Sequence, residues 1–126
     1  MRAADTNVLI RLIEQDDPAQ LALAESAVAQ GPLWVSTLVV LEMVWVLEAG
    51  YGRSKMEIAR VLEILTTNRD LVLEAPDVVR AALGLWAEGA AKFSDYLILE
   101  AANAAGHSPL LTFDKRLAKA PGAGKV

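Results

Sequence analysis

The chain has 126 residues, 54% of them hydrophobic and 22% charged, with no cysteine and a formal net charge of −4. That length suits a single domain spanning 1–126 with one sizeable core, and that apolar content excludes a disordered chain. The missing cysteine leaves no disulfide framework or thiolate chemistry, and the acidic balance argues against coating nucleic acid through a general basic surface.

Residues 1–4 are the first strand candidate. From Thr6, the residues Val8, Leu9, Leu12 and Ile13 recur at helical spacing and predict a first helix. Asp17-Pro18 reads as an N-cap and a first-turn proline, opening a second helix over 18–30 that Gly31-Pro32 ends. Leu33-Trp34-Val35 suits a buried strand, and Ser36 or Thr37 caps a helix running to about Ala49. Ser54 with Glu57 three residues later is a capping-box pattern, and Ile58, Val61, Leu62 and Leu65 form the apolar stripe behind it. Leu71-Val72-Leu73 is the next strand, Pro76 starts a helix to about Gly89, and Ser94 or Asp95 starts another to Ala105. Residues 109–112 form a further strand, a short helix follows near 115–118, and the tail from Ala120 is either an edge strand or disordered.

Short apolar strands alternating with longer helices predict a three-layer α/β/α sandwich with a central parallel sheet. The longest apolar region, residues 33–47, falls short of the roughly 20 residues that cross a bilayer, and no basic segment leads into an apolar stretch at the amino terminus. A cytoplasmic protein without a membrane segment is the expectation.

Four carboxylates stand beside apolar segments: Asp5, Glu42, Asp95 and Asp114. Placing a carboxylate there costs free energy unless its charge is compensated. Ligands of open parallel sheets bind beyond the carboxyl ends of the strands. Asp5 and Asp114 fall at such ends, Asp95 in a first helical turn, and Glu42 roughly 9 Å into its helix. Convergence of the four on one crevice would be repulsive unless a hard cation, Mg²⁺ or Mn²⁺, were held there to activate water for phosphodiester attack. Such chemistry requires no histidine or lysine base, which suits a chain whose one histidine is His107. Each residue also has a plainer reading. Asp5, Asp95 and Asp114 each suit a helix cap, and Glu42 suits an exposed helix face. Arg53, Lys55, Lys92, Lys115, Arg116 and Lys119 are candidate phosphate contacts or simply a solvated face, Asp16-Asp17 a cap, and Trp34, Trp45 and Trp86 core or interface residues.

The ordered set resembles the PIN-domain ribonucleases, and within them the VapC toxins of type II toxin–antitoxin modules. The matching segments are Asp5-Thr6-Asn7-Val8-Leu9, Ser36-Thr37 followed by Glu42, Phe93-Ser94-Asp95-Tyr96-Leu97-Ile98, and Leu111-Thr112-Phe113-Asp114-Lys115-Arg116-Leu117. The resemblance implies that Asp5, Glu42, Asp95 and Asp114 bind the metal. Thr6 and Asn7 would shape the first turn, Ser36 and Thr112 would support the site, and Lys92, Lys115 and Arg116 would contact RNA. It further implies RNA cleavage with Mg²⁺ or Mn²⁺, homodimerisation, and inhibition by a cognate antitoxin. Ala3-Ala4 departs from the bulkier apolar residues usual before the first aspartate.

Two other chemistries fail on the residues. A receiver-like phosphoacceptor needs an aspartate after the middle strand and a lysine after the last, where Glu74 and Asp114 stand. A haloacid-dehalogenase-type phosphotransferase needs a second aspartate two residues after the first, where Asn7 stands. An inert PIN-like scaffold that binds a partner is the remaining alternative.

Overall fold

In the computed structural model, which describes residues 1–126, the chain divides into two units, Met1–Ala75 and Pro76–Val126. The first unit is built on strands β1 (Arg2–Ala3), β2 (Leu33–Val35) and β3 (Leu71–Leu73), paired in parallel in that order. Ala3 lies opposite Trp34, and Trp34 opposite Val72. Because all three strands run the same way, Asp5, Ser36 and Glu74 emerge at one edge of this sheet.

Helices α1 (Thr6–Glu14), α2 (Pro18–Ala29), α3 (Thr37–Trp45) and α4 (Lys55–Thr67) complete the unit. Their starts follow from local chemistry, since the first amides of a helix have no partner within it. Asp17 accepts from the Gln20 amide at 3.1 Å, and Pro18 opens α2. Ser54 and Glu57 form the reciprocal capping box of α4. Helix α3 does not run regularly to Ala49. After Trp45 it widens into a π-helical turn over Val46–Gly50, closed by the Tyr51 amide bonding to the Val46 carbonyl at 3.2 Å. The core gathers Leu9, Ile10, Val35, Val40, Met43, Leu47, Ile58 and Leu62, each at most 1% exposed. Each such side chain contributes about 1.5–3 kcal/mol by leaving water.

Polar clamps tie α1 to the segment before α4. Arg53 Nε donates to Glu14 at 2.9 Å, a second guanidinium nitrogen meets the other Glu14 oxygen, and Arg53 also pairs with Glu57. Asp16, expected as part of a cap, instead accepts from Tyr51 at 2.7 Å and from Arg11 at 2.8 Å. These contacts, the tyrosine first, hold the Asp16 carboxyl below its ordinary acidity range.

The second unit comprises α5 (Pro76–Glu88), α6 (Phe93–Ala104), β4 (Leu110–Thr112), a 3₁₀ turn (Leu117–Lys119) and β5 (Ala123–Lys125). Trp86 and Phe93 join α5 to α6 edge to face, with ring centroids 5.4 Å apart. Strands β4 and β5 pair in parallel, Leu110 opposite Ala123 and Thr112 opposite Lys125. The tail is therefore a strand. Six helices with parallel strands place the chain in the expected α/β class, although the strands pair as a three-stranded and a two-stranded ladder. No helix is long and apolar enough to cross a membrane.

Candidate functional site

In the first unit, Asp5 leaves β1 in extended conformation and caps α1, its Oδ1 accepting from the Thr6 amide at 2.8 Å. Asp5 is exposed, and only its Oδ1 is engaged by a backbone amide. Thr6 is buried, at 4% exposure, and Asn7 is exposed. Ser36 caps α3, accepting from Val39 N at 3.1 Å. Beside it Glu74, a residue that the sequence singled out only against another chemistry, accepts from Thr37 N at 2.9 Å. Its signal was present in hindsight: a carboxylate directly after a strand, on the edge shared with Asp5.

Glu42 lies on the exposed face of α3, away from the buried stripe of Val40, Met43 and Val44. Leu38 and Trp45 accompany it there, 77% and 68% exposed. Its carboxylate takes part in no hydrogen bond or ion pair within the protein. The supposed expense of these positions is thereby corrected. Asp5 and Glu42 are exposed and Asp95 and Asp114 half-buried, because strand ends and first helical turns leave the three aspartates in contact with water and Glu42 lies on the outer face of α3.

In the second unit α6 starts one residue earlier than Ser94. Lys92 is the N-cap residue, and Asp95 reaches back to accept from its amide at 3.1 Å. Asp114 follows β4 and closes the next turn, one oxygen accepting from Arg116 N at 2.7 Å and Leu117 N at 3.0 Å. Thr112 Oγ1 accepts from Asp114 N at 3.0 Å, so the turn is tied at both ends. The Leu117 and Arg116 amides, then the Arg116 and Lys92 charges, hold the Asp114 carboxyl below its ordinary range. Lys92 thus links the two acids of this unit: its amide binds Asp95 and its charge acts on Asp114. Lys92, Lys115 and Arg116 are all exposed. Arg53, engaged with Glu14 and Glu57, is no free phosphate contact. Trp86 is a core residue, whereas Trp45 stands out in solvent. His107 is an exposed loop residue.

In each unit the candidate donors are carboxylate oxygens, a type that suits a hard cation such as Mg²⁺ or Mn²⁺. Asp5, Asp95 and Asp114 each spend one oxygen on a backbone amide and keep the other, and Glu42 keeps both. Within neither unit do three or more His, Asp or Glu side chains gather at ligating geometry. Two clefts run along α4 in the first unit, one between Glu14 and Arg60 and an apolar one lined by Leu9, Val28 and Leu65; neither includes Asp5 or Glu42. In the second unit a cleft of about 380 Å³ is lined in part by Arg116 and Lys119.

The family described as PIN domain matches residues 3–123. No curated protein matches the chain.

Proposed function

The chain belongs to the PIN-domain family, a nuclease-type fold, by a match that spans nearly its whole length, and from this premise we propose that it is a Mg²⁺- or Mn²⁺-dependent endoribonuclease acting as the toxin of a type II toxin–antitoxin module. The observation that carries the proposal is the complete set of Asp5, Glu42, Asp95 and Asp114 within the matched segment, each with a carboxylate oxygen not committed to the protein.

Asp5 and Asp95 would hold the ion most directly, with Glu42 and Asp114 completing or tuning the site. When bound, a divalent cation supplies activation of water and neutralisation of charge on the phosphodiester. The backbone bonds to Asp5, Asp95 and Asp114 orient each carboxylate without consuming both of its oxygens. Thr112 steadies the Asp114 turn by accepting its amide. Lys92, Lys115 and Arg116 would meet the RNA backbone as exposed charges. The exposed apolar face of α3, with Leu38 and Trp45, supports a protein partner, a second copy of the chain or the cognate antitoxin.

The test is Mn²⁺-dependent cleavage of RNA by the purified chain, set beside Asp5→Ala and Asp95→Asn. Losing a direct ligand is expected to lower the rate at least about 100-fold, since even outer supporting groups of metal sites cost 10–100-fold. Equal residual cleavage by wild type and both variants would sink the assignment, because a contaminating nuclease would then account for it.

A second reading is favoured by one fact: Asp5, Asp95 and Asp114 each already accept a backbone amide at a helix start or turn, a sufficient structural role on its own. On that reading the chain is a PIN scaffold without chemistry, and calorimetric titration of the free chain with Mn²⁺ gives no binding heat.

A further inference from the structure

Gly84 has no structural reason to be glycine. It sits inside α5 with ordinary negative φ, and a Cβ built on it meets nothing within 4 Å. Glycine in a helix interior is unfavourable relative to alanine, so an isolated one there asks for a reason in packing or function. Gly89 is the contrasting case, where a Cβ would fall 1.9 Å from the Tyr96 hydroxyl and 2.5 Å from its ring. What Gly84 does is keep a cleft open. It lines the space of about 380 Å³ in the second unit with Glu88, Gly89, Tyr96, Arg116 and Lys119.

The chemistry of that lining is divided. Arg116 and Lys119 are exposed cations, Lys119 without an ion-pair partner and Arg116 with only a loose one, 3.9 Å from Asp114. Two such cations suit a phosphate, with the guanidinium able to bind it through two N–H groups. Glu88 contributes one carboxylate, which repels phosphate but accepts hydrogen bonds from hydroxyl groups, as acidic residues do from ribose. The volume lies within the range of small-ligand pockets, roughly 300–1,000 Å³. Arg116 also donates its amide to Asp114, so the cleft begins beside a proposed ligand carboxylate.

We propose that this cleft is a flanking-nucleotide subsite for a ribonucleotide, with Arg116 and Lys119 on its phosphate, Glu88 on its ribose hydroxyls, and Gly84 leaving room for it. It rests on the ribonuclease reading and adds to it a place where the sugar, and hence RNA over DNA, is recognised.

The experiment is an NMR titration of the ¹⁵N-labelled full chain, without divalent metal, with adenosine 5′-monophosphate, its 2′-deoxy counterpart and inorganic phosphate. The ribonucleotide is expected to shift the amides of Gly84, Gly89 and Lys119, and the deoxynucleotide to bind at least about ten-fold more weakly for want of one hydrogen bond to a charged acceptor. Arg116→Ala with Lys119→Ala should weaken the ribonucleotide at least about ten-fold. Gly84→Leu should abolish the shifts by filling the cleft without lowering the Tm, because leucine favours the helix over glycine and its Cβ enters open space. Glu88→Gln, which leaves the cleft shape unchanged, should remove most of the ribose preference. Undiminished binding to Gly84→Leu, shifts confined to other residues, or equal affinity for ribo- and deoxynucleotide would each overturn the proposal. The two readings fail separately. Nucleotide shifts in a wild-type chain that cleaves no RNA keep the cleft and sink the nuclease, whereas Mn²⁺-dependent cleavage without any nucleotide shift does the reverse.

Discussion

Gly84 and Gly89 stand near the carboxyl end of α5 and are expected to answer the same substitution in opposite ways. Gly84→Ala should stabilise the chain by about 1 kcal/mol, because the helix gains a better former in open space. Gly89→Ala should destabilise it by about 1–3 kcal/mol, because the added Cβ would fall 2.8 Å from the Leu85 carbonyl oxygen and would displace Tyr96, which is 3% exposed and holds the Ala91 amide at 3.2 Å. Urea denaturation of both variants reads the pair. Asp114 carries a pH signature of its own. Its folded pKa lies below that of an unfolded aspartate, about 3.9, so its stabilisation is present above that value and lost as pH falls through the folded value. In metal-free buffer Asp114→Ala should therefore melt below wild type at pH 7, and the gap should close below about pH 4. A gap independent of pH would show that the turn owes nothing to the charge. At this scale the sequence named the four acids, but it misjudged their surroundings, since exposure depends on what other segments cover. Glu74 went unassigned for a related reason: its partner, the Thr37 amide, lies in a distant segment.

Helix starts were readable because a cap and its amide lie within one turn. Asp17-Pro18, Ser36 and the Ser54–Glu57 box all function as their residue types dictate. Ser54→Ala should lower stability by about 1 kcal/mol, as measured by chemical denaturation. Arg53→Ala, one residue earlier, should cost more, because it strands Glu14, whose side chain is only 4% exposed, without its bidentate partner. If the two variants were equally destabilising, the clamp between α1 and the start of α4 would be ornamental. The π-helical turn after Trp45 was not readable, since Val-Leu-Glu-Ala-Gly continues a helical pattern without interruption. The start of α6 was misplaced by a residue for the opposite reason: Ser94 and Asp95 look like caps, yet Asp95 works from inside the first turn on the Lys92 amide. Strand β5 was undecidable locally, because Ala-Gly-Lys carries no alternation and exists only by pairing with β4.

For the molecule as a whole, a net charge of −4 gives little general attraction for RNA. Binding of a short single-stranded RNA in EDTA should consequently be weak, and Mn²⁺ should tighten it, more so for wild type than for the Asp5→Ala chain. Fluorescence anisotropy with a labelled oligonucleotide separates these cases, and metal-independent tight binding would contradict a carboxylate-held cation as the bridge to phosphate. The order of the helices and of the first four strands, the caps of α2, α3 and α4 that lie within one turn, and the PIN-domain family were legible in the sequence itself, because periodicity, local capping and motif order are carried by residues close together in the chain. Only the tertiary structure decided that the carboxylates are solvated, that Glu74 caps α3, that the tail pairs with β4, and that Gly84 faces an open cleft. Those properties belong to surfaces made by segments far apart in sequence, and no local pattern encodes which distant segment will cover a residue or leave it bare.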